Sequence, residues 1–391
     1  MRNMGRMGGS TSSATVSDIE GLERLAERWD ELAVAGGKPA CSPSWMLGWC
    51  RLLSPNTEIV SVVVHEGGEL VGLAPLVLDR TGGRDDVRIM GAGLLHRIGP
   101  LARPGSDRLL AAAIGANVAA IRPRPDVISL ESVSVSEGWP TLIRQGLRRT
   151  APARLHWTSY GAAPVVTLQG HSFDSWMATR SANFRSEMRR CRRRLARSGG
   201  SVRLVTGSSP DLRQIVRALG DLHRGRWVPA GHPGVIDGRV EQLILDVALA
   251  QPDGDRLRLW VVEIDGEPVS VQVFLAAGGN INYWNGGWNE AHRDLKPGMM
   301  GILAAIEDAT AREERRLDLG GGAQAYKLRF ADTNDPLESA VVAPLQARYP
   351  RTRLEILRLQ LRYRAFPHLP ATVRTGVKAV VRRHEAGRFS P

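Results

Sequence analysis

The sequence predicts an α/β protein of the α+β layered kind, with two similar domains that each contain a mixed, mostly antiparallel sheet flanked by helices. Three observations support this fold class. The chain has 391 residues, which is too long for one ordinary core. A strand, a glycine turn and a second strand occur at 62–78 and recur without a gap at 260–276. A Pro-Gly turn opens a helix of small residues at 103–114 and again at 296–306.

The first half is expected to begin with helices and to continue as a β meander. One helix runs from Ser17 or Asp18, as N-cap, to about residue 35. Another follows Ser42, with Pro43 at its first position. The predicted strands, which end at glycine-containing turns, are 59–65, 69–78 and 87–91. The helix at 103–114 then leads to a strand at 127–131.

Helices also separate the two repeats. They are expected at 173–197, 210–226 and 239–249, because apolar residues recur there at helical spacing. The predicted organisation is a disordered tail at 1–16, a degenerate first domain at 17–168, a second domain with the helical insertion at 169–345, and basic C-terminal helices at 346–391.

The cysteines and apolar segments indicate a cytoplasmic protein. Cys41, Cys50 and Cys191 form an odd set without CxxC spacing, so neither a disulfide framework nor a metal site is expected. The N-terminal residues lack the apolar stretch of a secretory signal. The longest apolar run, 109–121, is shorter than the ~20 residues that span a bilayer.

A phosphate-binding loop is predicted where the strand at 280–288 leads into the helix at Pro297. A glycine-containing helix N-terminus offers free N–H groups and a positive dipole end, which favour a pyrophosphate. The candidate contacts to the cofactor are Trp284, Asn285, Gly286, Arg293, Lys296, Gly298, Met299 and Gly301. Alternatively, Pro297 and Gly298 only start a helix.

Candidate catalytic residues lie around three consecutive glycines, Gly320 to Gly322. Attack of an amine on a thioester requires stabilisation of the oxyanion and a proton donor for the thiolate. Lys327 is a candidate for the first role and Tyr326 for the second. Asp318 is a candidate to bind or deprotonate the acceptor, and it could equally cap the glycine turn. The alternative for the Tyr-Lys pair is a buried aromatic beside a surface lysine.

A family resemblance rests on these segments. The motifs at Trp227, 257–260, 266–269, 297–298 and 318–327 resemble the BioF2-like, CelD (BcsL)-type acetyltransferases of the GNAT superfamily. The resemblance covers about residues 170–335 and implies tandem GNAT-like domains, with an acyl-CoA donor on the second domain and an amine acceptor in the cleft. The chain is more distantly similar to the FemABX transferases, which use aminoacyl-tRNA; Lys327 matches their assisting lysine by position. The glycine loop of typical GNATs is replaced by the residues at 293–301.

Basic segments add possible anionic partners to a chain with a net charge of +12. Arginines crowd 185–197, where they form either a solvated face or a clamp for phosphates. The residues expected to contact the acceptor are Arg185, Arg189, Trp227 and Trp288. The segment 351–391 suggests two amphipathic helices, with Leu354, Leu357 and Leu361 on the first. They could contact an anionic membrane at the inner face, or dock on the second domain.

Three functions therefore compete. The first is the transfer of an acyl group, expected to be acetyl, from acetyl-CoA or another acyl-CoA to the amine of an amino sugar, an envelope or exopolysaccharide precursor or a specialised metabolite, with no metal involved. The second is a FemABX-like transfer from aminoacyl-tRNA, the one reading in which nucleic acid is a partner. The third is a non-catalytic binding protein on a GNAT fold.

Overall fold

The computed structural model describes residues 10–81, 83–228, 234–251, 253 and 256–365. The strands in this part of the chain are β1 Thr11–Val16, β2 Glu58–Ile59, β3 Ser61–Glu66, β4 Glu69–Ala74, β5 Leu76–Asp79, β6 Asp86–Ile89, β7 Leu101–Ala102, β8 Val127–Ser134, β9 Ala153–Gly161, β10 Pro164–Thr167, β11 Gly200–Val205, β12 Leu257–Ile264, β13 Glu267–Ala277, β14 Asn280–Trp288, β15 Arg316–Asp318, β16 Thr333–Asn334 and β17 Leu337–Pro344. The helices are α1 Ile19–Glu23, α2 Ala26–Ala35, α3 Pro43–Leu53, α4 Asp107–Ala120, α5 Trp139–Leu147, α6 Phe173–Ala178, α7 Ala182–Arg197, α8 Leu212–Trp227, α9 Gly238–Ala250, α10 Pro297–Ala311, α11 Ala325–Phe330 and α12 Tyr349–Ala365.

The sheet order confirms the duplicated α/β architecture. The first half contains two sheets, β1-β3-β4-β7 and β2-β5-β6-β8-β17-β9, and the second contains β11-β12-β13-β14-β15-β10-β16. Each half has an antiparallel meander that leads to one parallel pair, β6 with β8 and β14 with β15. A helix, α4 or α10, connects the two strands of each pair. The strand at 69–78 is split at Pro75, which has no N–H to donate to a ladder.

The two halves exchange strands. β17 comes from the C-terminal part of the chain but lies between β8 and β9 of the first half, antiparallel to both. β10 comes from the N-terminal half but lies between β15 and β16 of the second. Each sheet therefore needs a segment that is distant in sequence.

Apolar side chains cover both faces of the second sheet. On one face, α8 and α9 and strands β12 and β13 share a continuous core with the first half, which includes the buried Trp29 and Trp45. On the other face, α6, α7, α10 and α11 form a second core around Phe184 and Phe330, whose rings meet edge to face. On α7, the side chains of Phe184, Met188, Cys191 and Leu195 recur at helical spacing and are buried.

Four local expectations were wrong. Residues 11–16 of the expected tail form β1, because their backbone pairs with β3 at the sheet edge. The helix expected at 17–35 is divided into α1 and α2, and the helix at 173–197 into α6 and α7. The break between α6 and α7 lies at Ser181, whose hydroxyl oxygen accepts from the Phe184 N–H and caps the start of α7. Finally, α12 packs against β9 and β17 of the first-half sheet, and not on the second domain.

The contacts of α12 are made by a different face from the one that the leucine spacing suggested. Ile356 and Thr352 are buried, whereas Leu354, Leu357 and Leu361 are exposed. The second basic helix expected in 351–391 lies outside the described residues, and membrane contact stays a prediction. Among the residues that the structure describes, no helix combines the length and apolar character that a bilayer crossing requires.

The strand exchange predicts that residues 1–161 cannot fold alone, because β9 would lose its neighbour β17. We expect this fragment to be insoluble, and a fragment with residues 336–345 joined by a Gly-Ser linker to be soluble with a cooperative thermal transition. Soluble yield and circular dichroism measure this. The matched control carries Val341→Asp and Val342→Asp in the joined strand, at two buried positions, and is expected to fail. Cooperative folding of the bare fragment would contradict the requirement for β17.

Candidate active site

The centre of the second sheet opens into a groove. β14 and β15 pair only over Asn280–Asn282 and Arg316–Asp318. Immediately afterwards a β-bulge at Trp284 shifts the register of β14 against β13. β15 ends at Asp318, and the chain turns away through Gly320, which has φ of +74°. We call the space between residues 283–288 and 319–326 the open groove; it has one strand edge that β15 does not pair.

Lys327 lies at the base of the open groove, on α11. Its ammonium Nζ donates to the carbonyl oxygens of Gly321 at 2.8 Å and Gly320 at 3.4 Å. The side chain is buried, and burial lowers its pKa to about 8, although the nearby Asp318 charge opposes the shift. A side chain at Gly320 would lie 3.3 Å from the Tyr283 carbonyl oxygen and 3.8 Å from Lys327 Nζ. The glycine therefore permits the close approach of α11 to β14.

Tyr326 precedes Lys327 and contacts the opposite side of the open groove. It lies near Tyr283 on β14, and the two phenols influence each other's ionisation. Burial raises the pKa of Tyr326, while the Arg226 charge and the neighbouring Tyr283 oppose this in part. Burial likewise raises the pKa of Tyr283. Both phenols are therefore protonated at neutral pH and are able to donate a proton.

Asp318 is held in an ion-pair cluster and is not free to act on a substrate. Its carboxylate accepts from the Arg97 guanidinium of the first half, from Arg316 at 3.3 Å and from the Gly320 N–H at 2.7 Å. Arg97 also donates to the Asp335 carboxylate and carbonyl oxygen, both at 2.8 Å. Of the two roles expected for Asp318, the structure thus shows the cap of the glycine turn, because its lone pairs are taken by donors.

His96, a residue of the first half, lies near the same glycine turn. A side chain at Gly321 would lie 4.0 Å from its ring carbon Cε1. The pKa of His96 is lowered by desolvation first and by the Lys327 charge second, while Asp318 acts in the opposite direction. The imidazole is consequently neutral at pH 7 and has a nitrogen available to accept a proton.

Lys296 and the N-terminus of α10 lie beside the open groove. Lys296 is the N-cap, with φ of +52°, and no side chain caps this helix. Its ammonium is paired with Glu187 of α7, and the same carboxylate pairs with Arg329 of α11. The predicted phosphate ligand thus has an internal carboxylate partner, which the sequence did not indicate. Gly298 has no close neighbour at its Cβ position.

Two predicted contacts for the acceptor, Trp227 and Trp288, lie together. The Arg226 guanidinium is 5.5 Å from the centroid of each ring, so the three side chains form one cluster. Trp288 also lies near the start of α10, because a Cβ at Gly298 would be 3.7 Å from its Cδ1. This cluster flanks the groove at the helix N-terminus.

Several predicted cofactor contacts instead serve packing. The Trp284 indole donates to the Leu94 carbonyl oxygen at 3.0 Å and packs on Trp45, so it joins the two halves. Gly286 and Gly301 leave room for the buried Gln272 side chain, which a Cβ at either would approach within 3.0 Å. The Asn285 side chain accepts from the Gly286 N–H at 2.8 Å. Met299 packs on the core beneath α10, and Arg293, which precedes that helix, is exposed.

Arg185 and Arg189 line a separate groove of about 450 Å³ between α6, α7 and α10. Arg185 donates to the carbonyl oxygens of Ala178 and Arg180, which braces the α6–α7 connection. Its groove shares no lining residue with the small cavity at Asp318 and Gly320. The two arginines are therefore not brought together with the Tyr-Lys pair.

Four residues that the fold brings to the open groove and its surroundings were not predicted from the sequence. His96 and Arg97 follow a glycine-containing turn in the half expected to be degenerate, and Arg97 itself has φ of +59°. Tyr283 and Glu187 lie in predicted elements but were not singled out. Only the aromatic character of the strand at 280–288 was a usable signal.

Comparison with known proteins agrees with this geometry. Residues 182–328 match the family described as acetyltransferase (GNAT) domain. The matched segment contains the strands and helices on both sides of the open groove, so the groove lies within the part of the chain that is similar to this family. The more specific BioF2-like, CelD-type assignment stays a prediction, and curated protein sequences give no match.

Most of the chain superimposes on several solved structures. FemX superimposes with a TM-score of 0.62 at 13% identity, over 88% of this chain and 100% of its own. L-PGS from Bacillus licheniformis gives 0.52 at 12% identity, over 86% and 96%. A C-terminal domain from Agrobacterium fabrum, described as that of a lysylphosphatidylglycerol synthetase, gives 0.54 at 11% identity, also over 86% and 96%. At these identities the similarity shows the fold alone.

The ion-pair cluster predicts a large cost for removing Arg97. Arg97→Ala keeps the Cβ, so the backbone at this position is unchanged, but Asp318 and Asp335 lose their shared partner. We expect the free energy of unfolding to fall by about 3 kcal/mol, as for a broken buried ion pair, measured from urea denaturation midpoints.

The control is Arg103→Ala, which breaks an exposed pair with Glu69 and should cost less than about 1 kcal/mol. Asp318→Asn in the Arg97→Ala background should recover part of the loss, because one unpaired carboxylate is removed. Equal costs for the two arginines would show that the cluster does not stabilise the fold.

Proposed function

We propose that the protein is an acyl-CoA-dependent N-acyltransferase, with the donor in the open groove and a small amine as acceptor. The main support is the unpaired edge of β14. Lys327, Tyr283 and Tyr326 lie at one end of it, and the uncapped N-terminus of α10 lies at the other. An extended pantetheine arm suits an open strand edge, and a pyrophosphate suits a helix N-terminus. The GNAT match over residues 182–328 supports the reaction class.

The proposed chemistry uses three side chains. Neutral His96 accepts the proton that the amine loses as its nitrogen attacks the thioester carbon. The Lys327 ammonium uses its remaining N–H to stabilise the negative oxygen of the tetrahedral intermediate. Tyr326 donates its proton to the thiolate that leaves when the carbon–sulfur bond breaks. Asp318 positions the glycine turn, and Arg97 holds Asp318 in place.

The acceptor is proposed to bind between the two halves. A cavity of about 140 Å³ adjoins Arg97 there and has a polar lining that includes Lys38, Ser136, Asn282 and Arg316. Its size favours a small molecule or the amine-bearing end of a larger one. An amino sugar, an envelope precursor and a specialised metabolite all remain within this class.

A second candidate, transfer from aminoacyl-tRNA, is favoured by the similarity to FemX over 88% of this chain. Exposed arginines on α7, including Arg189, Arg190 and Arg193, would suit a nucleic-acid backbone. The same three side chains would serve an ester donor, because an amine attacks an ester carbonyl in the same way.

Ligand binding separates the two donors. We expect acetyl-CoA at millimolar concentration to raise the melting temperature by several degrees, because a ligand that binds only the folded state stabilises it. Bulk tRNA at low salt should give no shift. Trp288→Ala should reduce the shift, whereas Trp157→Ala, at an exposed site on β9, should not. A shift with tRNA, lost at high salt, and none with acetyl-CoA would favour the second donor and reject the first.

The pH dependence of turnover tests Lys327 and His96. Activity should rise as His96 loses its proton, at a pH below the ordinary range of histidine because burial lowers its pKa, and fall as the Lys327 ammonium loses its proton near pH 8. Burial raises the Tyr326 pKa, so that phenol cannot account for the fall. Lys327→Arg should remove the decline above pH 8, and Lys327→Met should lower kcat by roughly 10²-fold or more. An unchanged decline in Lys327→Arg would assign it to another group.

A further inference from the structure

The carboxylate of Glu187 lies between two cationic side chains, Lys296 and Arg329, at the end of the open groove next to the N-terminus of α10. It pairs with Lys296, the N-cap of α10, and with Arg329 on α11. Its side chain is only 12% exposed, and those of Lys296 and Arg329 are about one-third exposed, at 35% and 32%. The carboxylate is thus enclosed, while both cations remain accessible from solvent.

The arrangement puts an internal anion where the proposed donor would bring an external one. Three elements meet here: α7 supplies the carboxylate, and α10 and α11, which flank the open groove, supply the cations. Arg329 also lies over the Phe184 ring, 5.2 Å from its centroid, so its position does not depend on Glu187 alone. Arg329 can therefore stay in place if the carboxylate moves away, and the Lys296 ammonium remains accessible to a new anion.

We propose that Glu187 is an internal substitute for the donor phosphates: it holds Lys296 and Arg329 in the free protein, and the pyrophosphate of the donor displaces it. This inference rests on the proposed function and deepens it. A pyrophosphate carries more negative charge than one carboxylate and has more acceptor oxygens, so the exchange favours donors that bear a pyrophosphate over donors that bear none. Glu187 thereby selects the donor class.

Protonation does not release the carboxylate under ordinary conditions. The hydrogen bond from Lys296, followed by the bond and charge of Arg329, holds the pKa of Glu187 below its usual value. Glu187 therefore stays ionised at neutral pH, and only a competing anion can take its place. High salt should weaken the internal pair and donor binding together.

The test is donor affinity in Glu187→Gln, an isosteric change that removes the competing charge. CoA should bind this variant roughly tenfold more tightly than the wild type, by calorimetry at low salt, whereas pantetheine, which lacks the phosphates, should bind both equally. Glu307→Gln is the matched control, because Glu307 forms an exposed pair with Arg192 between α10 and α7. It should leave CoA affinity unchanged. Lys296→Met should weaken CoA binding in either background.

Unchanged or weaker CoA binding by Glu187→Gln, or an equal gain for pantetheine, would overturn the inference. Glu187→Ala serves as the second variant if Glu187→Gln melts at a lower temperature than the wild type. If neither CoA nor pantetheine binds any variant, the acyl-CoA function fails, and inorganic pyrophosphate then tests Glu187 alone. Tighter pyrophosphate binding by Glu187→Gln would still support the internal substitute, and equal binding would reject it.

Discussion

The Arg97 guanidinium, inserted between Asp318 and Asp335, is the interaction on which the site depends. It comes from the first half, whereas both carboxylates come from the second. Asp318 in turn accepts from the Gly320 N–H, which sets the glycine turn, and the turn presents the two carbonyl oxygens that hold Lys327. A contact between the halves is thus transmitted through four short steps to the ammonium in the open groove.

The exchange of strands between the two halves stabilises the contact of Arg97 with Asp318 and Asp335. Because β17 and β10 each cross to the other half, the segments that carry the site cannot separate without breaking sheet hydrogen bonds. The core on the α8 and α9 side of the second sheet is continuous with that of the first half, and the bond from Trp284 to Leu94 adds a polar link. The first half thereby places Arg97 against the glycine turn of the second half and lines one side of the cavity between them.

Sequence reasoning located the elements around the open groove, and the structure gives several of the named residues packing contacts that the sequence did not indicate. The Pro297 helix, the strand before it and the Tyr326–Lys327 pair were found, because turn chemistry and strand patterning are local. Trp284, Gly286 and Gly301 were read as ligand contacts, because aromatic and glycine residues in a strand suit a ligand and close packing equally well. Only the position of Gln272 and of Leu94 decides between the two.

The sequence by itself determined the fold class, the duplication and the strand-to-helix turn at the groove, since each depends on periodicity and on glycine and proline at fixed spacing. The tertiary structure alone decided which strands are exchanged, that Asp318 is an ion-pair partner, that Glu187 joins Lys296 to Arg329, and that His96 faces Lys327. Arg97 and Asp318, for example, are 221 positions apart along the chain. Electrostatic pairing and burial depend on distance in space, which no local pattern of residues records.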